Sequence, residues 1–169
     1  MKNIYLVGFM ATGKSSAGRM LAQRLKRDFV DMDALIESLE GMTIAQIFKT
    51  KGEPYFRRLE KETISDLAQK KDLVVSCGGG VFVPDDNIRL MKKSGVVFCL
   101  TSSAGMILKR ASVTCDRPLL NVADPLGRIA ELLAERQPFY AQAHYQIDAD
   151  KLTVEETADA IREILRTYE

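Results

Sequence analysis

Short apolar runs alternate with stretches of helical spacing from one end of the chain to the other. Residues 4–7 form a β-branched, apolar run that stops at Gly8, and residues 14–26 then carry Met20, Leu21 and Leu25 at helical spacing. Residues 29–31 make a brief second strand. Helical stretches follow at about 33–40, 43–50 and 53–70. Residues 73–77 form a third strand, stopped by Gly78, Gly79 and Gly80. A helix over about 84–93 leads through Gly95 into a fourth strand at 96–100. The spacing then predicts helices at 104–110 and 126–143, a weak strand at 145–147 and a closing helix at 153–166. Strands that are apolar on both faces, each separated from the next by helix, predict a parallel sheet covered on both sides.

One interval breaks this rhythm. Residues 111–124 contain Arg117-Pro118, Asn121 and Asp124, with little periodicity. A loop of that length inside a compact domain is usually a functional flap, and the interval reads as a mobile lid. The length of 169 residues is close to one domain of about 150 residues, so a single domain spanning 1–169 is expected. No repeat or linker divides it.

Composition narrows the function classes. At 46% hydrophobic and 28% charged the chain is neither disordered nor a coiled coil. No apolar run reaches the roughly 20 residues of a membrane span, and the N-terminal apolar run is too short for a signal peptide. A net charge of +1 argues against nucleic acid or a membrane surface as partner. Cys77, Cys99 and Cys115 form no CxxC pair, which speaks against a disulfide framework or a zinc site and for a reducing, cytoplasmic compartment. Cys115 in the lid reads as an incidental thiol. His144, the only histidine, has no nucleophile signature beside it and reads as structural, which also counts against triad hydrolysis.

The strongest chemical signal is Gly8-Phe9-Met10-Ala11-Thr12-Gly13-Lys14-Ser15, a GxxxxGK[ST] phosphate loop between a predicted strand and a predicted helix. Backbone amides of such a loop curl around phosphate oxygens at the positive end of a helix. Lys14 supplies charge at the β- and γ-phosphates, and the Ser15 hydroxyl can ligate magnesium. Asp31 and Asp33 follow a strand at i and i+2, positions that share a side in a strand. One would hold the metal and the other would receive or orient an attacking hydroxyl. The plain alternative is a helix cap. The third strand ends without the acid that many phosphate-loop ATPases carry there, which makes Asp31 the metal candidate.

Arg57, with Glu60 three residues on, and Arg136, before Pro138, each suit bidentate carboxylate binding or, alternatively, a solvated ion pair. Pro138 should bend or end its helical turn. Gly78, Gly79 and Gly80 allow positive φ and close approach to a ligand, or simply a tight loop of small residues.

Taken together, these motifs resemble the shikimate kinase family over nearly the whole chain. The phosphate loop at 8–15, Asp31-x-Asp33, Phe56-Arg57-x-x-Glu60, the three glycines, Arg117-Pro118-Leu119-Leu120 and Arg136-x-Pro138-x-Tyr140 stand in the family's order. The resemblance implies a three-layer α/β fold of the nucleoside-monophosphate-kinase type, with a five-stranded parallel sheet. It implies transfer of the γ-phosphoryl of ATP to the 3-hydroxyl of shikimate, with Mg2+, on the route to chorismate and the aromatic amino acids.

Carried onto this chain, it places ATP on Gly8, Ala11, Thr12, Gly13, Lys14, Ser15 and Ser16, with Arg110 near the adenine and Lys151 a further candidate there. Ser15 falls at the metal. Asp33 falls on the shikimate hydroxyls, while Arg57, Arg136 and the Gly79 amide fall on its carboxylate side, within helices of about 33–62 and the loop facing them. Arg117 falls in the lid over the transferring phosphate, so Lys14, Asp33 and Arg117 are the expected catalytic residues. The chain departs from the family at Ala11-Thr12, where a glycine followed by a small residue is more usual.

The expected partners are therefore shikimate and ATP, on a monomer. Two other readings fit the residues: a related kinase for another hydroxy acid such as gluconate, and a nucleotide-dependent switch without catalysis. The absence of a guanine-specific NKxD and the presence of both aspartates disfavour the switch.

Overall fold

The computed structural model describes residues 2–112 and 122–168. The strands are β1 (Asn3–Val7), β2 (Asp28–Asp31), β3 (Leu73–Ser76), β4 (Gly95–Thr101) and β5 (Tyr145–Asp148). The helices are α1 (Lys14–Leu25), α2 (Met32–Glu40), α3 (Ile44–Lys51), α4 (Glu53–Gln69), α5 (Asp85–Ser94), α6 (Ala104–Ala111), α7 (Pro125–Tyr140) and α8 (Val154–Tyr168). All five strands are parallel, in the order β2-β3-β1-β4-β5. The central strand β1 pairs with β3 on one side and β4 on the other, with Ile4 opposite both Val74 and Val96. Chain direction across the sheet reverses at β1, and ligands of such sheets bind beyond the strand C-termini at that reversal.

The alternation along each strand feeds two cores. Tyr5, Val7, Val75, Val97 and Cys99 point to one face, packed with Ile64, Met91, Ile129 and Tyr140 of the helices. Ile4, Leu6, Val74, Val96, Phe98 and Leu100 point to the other, under α1 and α8 through Leu21, Ala158 and Ile161. Each such side chain contributes roughly 1.5–3 kcal/mol when fully buried, so both faces hold the sheet between helices. A third, smaller cluster of Ile36, Ile47 and Phe56 ties α2, α3 and α4 together.

Asn3 is the polar exception in this core, and it is saturated with partners. Its Nδ2 donates to the carbonyls of Leu67 (3.1 Å) and Lys70 (3.0 Å), and its Oδ1 accepts from the Leu73 amide (3.1 Å). One buried amide thus joins β1 to the end of α4 and the start of β3, where an apolar side chain would leave those backbone groups to find other partners.

Three local expectations are corrected. β2 ends at Asp31 and α2 begins at Met32, so Asp33 stands on the helix expected from about residue 33 and shares no strand alternation with Asp31. Asp31 caps that helix, with Oδ1 accepting from the amides of Asp33 and Ala34, and a cap ends strand alternation. The helix expected to reach residue 143 ends at Tyr140, two residues past Pro138. Proline has no amide to donate to the preceding turn, yet Ala141 still donates to Gln137 (2.9 Å). Of the lid interval, Ala111 belongs to α6 and Asp124 caps α7 by accepting from Gly127. Arg117 and Cys115 lie outside the described residues. Among the described residues no helix is long and apolar enough to cross a membrane, and the free cysteines Cys77 and Cys99 are buried.

His144 is structural, as expected. It opens β5, its amide donating to the Val97 carbonyl and its Nδ1 accepting from the Val97 amide, both at 3.0 Å. That acceptor role needs a neutral ring. Burial, aided by Lys92 and Lys2, holds the imidazole below its ordinary value. Because the folded value lies below the unfolded one, His144 supports the fold fully above the unfolded value of about 6.5 and loses that support as pH falls through the folded one. Denaturant midpoints should therefore drop as pH falls below about 6.5. In His144→Asn, whose carbonyl can accept the same amide, that drop should shrink; an undiminished drop would place its origin elsewhere.

Candidate active site

β1 delivers the chain into the phosphate loop at Gly8, whose φ of +134° favours glycine. A Cβ there would also run into the Leu100 carbonyl of β4. Ala11 stands in the left-handed region at φ +57°. This is where the chain departs from its resembled family, and an alanine holds a conformation that glycine adopts without steric cost. Gly13 then precedes α1 with no side-chain cap. The first-turn amides of α1 are the groups that bind phosphate in such loops.

Lys14 is buried, and its ammonium donates to the Phe9 carbonyl at 2.7 Å. The Thr12 hydroxyl donates to the same oxygen at 2.9 Å. Ser15 Oγ donates to Asp31 Oδ2 at 2.5 Å and lies 3.2 Å from Ser76 Oγ. Ser76 ends β3 directly opposite Asp31 in the sheet register. The helix-cap and metal readings of Asp31 are therefore compatible: one carboxylate oxygen caps α2 and the other faces Ser15. Two hydroxyls and a carboxylate are hard oxygen donors, a set that suits magnesium rather than a soft metal.

The three glycines follow β3 into the same region. Gly78–Gly80 do not use positive φ, contrary to one reason for expecting glycine; close approach is what they provide. A Cβ at Gly78 would lie 2.9 Å from Asp33 Oδ1 and 3.1 Å from Glu60 Oε1. One at Gly79 would lie 3.0 Å from Arg136 Nη1 and 3.6 Å from the Gly8 carbonyl, and one at Gly80 would collide with the Arg57 guanidinium. Asp33, Arg57 and Arg136, on α2, α4 and α7, thus meet around one loop beside the phosphate loop.

Each arginine is held by the chain. Arg57 pairs with Glu60 at 2.5 Å and with Glu53 at 3.1 Å. Burial pushes the Glu60 carboxyl above its ordinary value; Arg57 and then Arg136 work against that shift, and Asp33 adds to it. The Arg136 guanidinium lies over the Phe9 ring, 5.1 Å from its centroid, a cation–π contact.

On the other side of the phosphate loop, a groove of about 320 Å³ runs beside α1, lined by Ser15, Ser16, Arg19, Met20, Gln23 and Val154. Arg110 is anchored near the start of α8, donating to the Ala149 carbonyl at 2.9 Å. Lys151 is highly exposed and paired with Asp148 at 2.9 Å. Arg110 and Lys151 therefore stand by the loop between β5 and α8, apart from the glycine loop.

The shikimate kinase family model matches residues 10–166. The chain belongs to the shikimate kinase family. A shikimate kinase of Thermodesulfovibrio yellowstonii is 47% identical over all of this chain and 96% of its own length. One from Caldanaerobacter subterraneus is 46% identical over 99% of this chain and 96% of its own. Among solved structures, shikimate kinase from Acinetobacter baumannii in complex with shikimate superposes with a TM-score of 0.95 at 36% identity, covering 100% of this chain and 95% of that one. The family's activity is ATP-dependent phosphorylation of a shikimate hydroxyl, and the gluconate alternative is not favoured.

Ser76, Phe9 and Tyr140 gain a place at the site that residue patterns did not assign. Ser76 is legible only as the hydroxyl left where an acid is missing at the end of β3. Phe9 occupies a variable position of the loop motif. Tyr140 lies four residues after Arg136, on the same helix face.

Lys14→Met should abolish turnover while leaving the fold intact, because the sheet cores do not include the Lys14 charge. Circular dichroism and ADP release in the presence of shikimate read the two together. Near-normal turnover would remove this loop from phosphoryl transfer.

Proposed function

We propose that this chain transfers the γ-phosphoryl group of ATP to the 3-hydroxyl of shikimate, with the residues around the two facing loops dividing the work. The observation that carries the division is the convergence of Asp33, Arg57 and Arg136 on Gly78–Gly80, beside Lys14 and Ser15. The phosphate loop, Gly8 to Ser16, holds the triphosphate. Lys14 exchanges its neutral acceptor on Phe9 for charged phosphate oxygens, where its ammonium offsets charge as the phosphoryl group moves. Asp33 orients the attacking hydroxyl and accepts its proton. Arg57, Arg136 and the Gly79 amide receive the shikimate carboxylate. Arg110 serves the adenine side.

Ser15 and Asp31 would hold Mg2+, consistent with their hard oxygen donors. Bound there, the ion would supply charge neutralisation to the triphosphate. The chain reads as one kinase domain in which the helices of about 33–62 serve shikimate. The Ile36, Ile47 and Phe56 cluster supports this, since it packs those helices on each other. Few large apolar side chains are exposed among the described residues, Leu39, Val122 and Leu126, which supports a monomer. Free buried thiols at Cys77 and Cys99 support the cytoplasm.

Asp33→Asn keeps shape and removes the base. Positioned base catalysis is worth roughly 10²–10⁴ in rate, so kcat should fall by about that range with ATP affinity little changed. Collapse of ATP binding instead would move Asp33 to the metal side.

Arg136→Ala and Arg57→Ala should each weaken shikimate binding by about 1.5–3 kcal/mol, the worth of a hydrogen bond to a charged group. Most of that loss should vanish with an acceptor whose carboxylate is a neutral amide. Arg57→Ala should also lower thermal stability, because it strips the buried Glu60 of its close cation. Equal binding penalties with both acceptors would make the arginines structural.

A further inference from the structure

The Tyr140 hydroxyl is buried at the last residue of α7, where a phenol needs a partner. Its hydroxyl donates to the Gly79 carbonyl at 2.7 Å. The ring belongs to the core that also holds Phe9, Cys77 and Val81, so it is fixed from behind. Gly79 is the glycine whose missing Cβ leaves room for Arg136, and its neighbour Gly80 leaves room for Arg57. Burial raises the phenol to about 12, against the pull of Arg136, which adds a side-chain hydrogen bond, and of Arg57. The hydroxyl therefore stays protonated and remains a donor at any working pH.

We infer that Tyr140 is a positioning residue for the acceptor's carboxylate: its hydroxyl holds the Gly79–Gly80 peptide plane and, with Arg136 beside it, restrains the glycine loop and the guanidinium together. The inference rests on the proposal that Arg136 and Gly79 receive that carboxylate. The Gly79 carbonyl and the Gly80 amide belong to one planar unit, so holding that carbonyl at 2.7 Å fixes the plane and restrains the ψ rotation that separates it from Gly79's own amide. Phe9 covers Arg136 from the phosphate-loop side, and Tyr140 holds the same neighbourhood from the core side. Without the hydroxyl, the Gly79 carbonyl loses its donor and the loop gains freedom that binding must then remove.

Tyr140→Phe keeps the ring and removes only the hydroxyl. With shikimate, KM should rise about 2- to 12-fold, the fold-change of one neutral hydrogen bond. kcat and the KM for ATP should stay near wild type. With an acceptor whose carboxylate is reduced to a hydroxymethyl group, the variant and wild type should have the same KM. Combined with Arg136→Ala, the Tyr140→Phe penalty should shrink, because both act on one carboxylate. An unchanged KM for shikimate, a fall in kcat at unchanged KM, equal penalties for both acceptors, full additivity with Arg136→Ala, or loss of folded protein would each overturn the assignment. Failure of the wild type to phosphorylate shikimate would instead overturn the functional reading itself.

Discussion

A buried ammonium needs an oxygen, and the arrangement of this site follows from the oxygen that Lys14 has. The Phe9 carbonyl accepts from both Lys14 and Thr12, so the phosphate loop is tied to its own backbone. The ring of the same residue is fully buried and carries Arg136 on its face. One residue therefore ties the loop through its carbonyl and supports Arg136 through its ring. Charged phosphate oxygens are stronger acceptors than a neutral carbonyl, which gives Lys14 a reason to leave Phe9 without leaving the loop.

Topology does the rest of the gathering. The order β2-β3-β1 sets three strand C-termini side by side, and each opens into a different part of the site. β1 opens into the phosphate loop, β2 into Asp31 and Asp33, and β3 into the three glycines. Residues far apart in sequence thus meet because parallel strands share one C-terminal edge. The register is strict enough to place Asp31 opposite Ser76, and a slip of one residue in either strand would turn that strand's side chain to the other face.

The elements with a physical period were legible in the sequence. Apolar runs found every strand, and the phosphate-loop motif found its strand, turn and helix. Asp31 and Asp33 were placed together for a reason the structure replaces: a helix cap, rather than strand alternation, sets Asp33. Boundaries blurred where a backbone rule has exceptions, as at Pro138. Tyr140 stood in a motif that carried the resemblance and Phe9 in the phosphate loop, but each looks like a core aromatic, and only the fold reveals what the Phe9 carbonyl and the Tyr140 hydroxyl bind. Gly78–Gly80 were legible as a loop, but their use is proximity to Arg57, Arg136 and Asp33, which no single-residue preference encodes.

The charges gathered around the glycine loop explain why the chain also builds Glu60 into its interior. Arg57 and Arg136 stand beside neighbouring glycines, and two cations brought to one loop repel unless a carboxylate offsets them. Glu60 fills that role at a cost, since burial alone pushes its carboxyl toward the neutral form, and Asp33 nearby pushes it further. Arg57 at 2.5 Å restores much of the balance. The guanidiniums are thus oriented by internal partners, so little side-chain freedom remains to be lost when they take a further anion. The same balance limits affinity, because every internal partner shares the cation with the ligand. A cation held this way acts by orientation more than by unopposed charge, and orientation is what an in-line transfer to one hydroxyl among several requires.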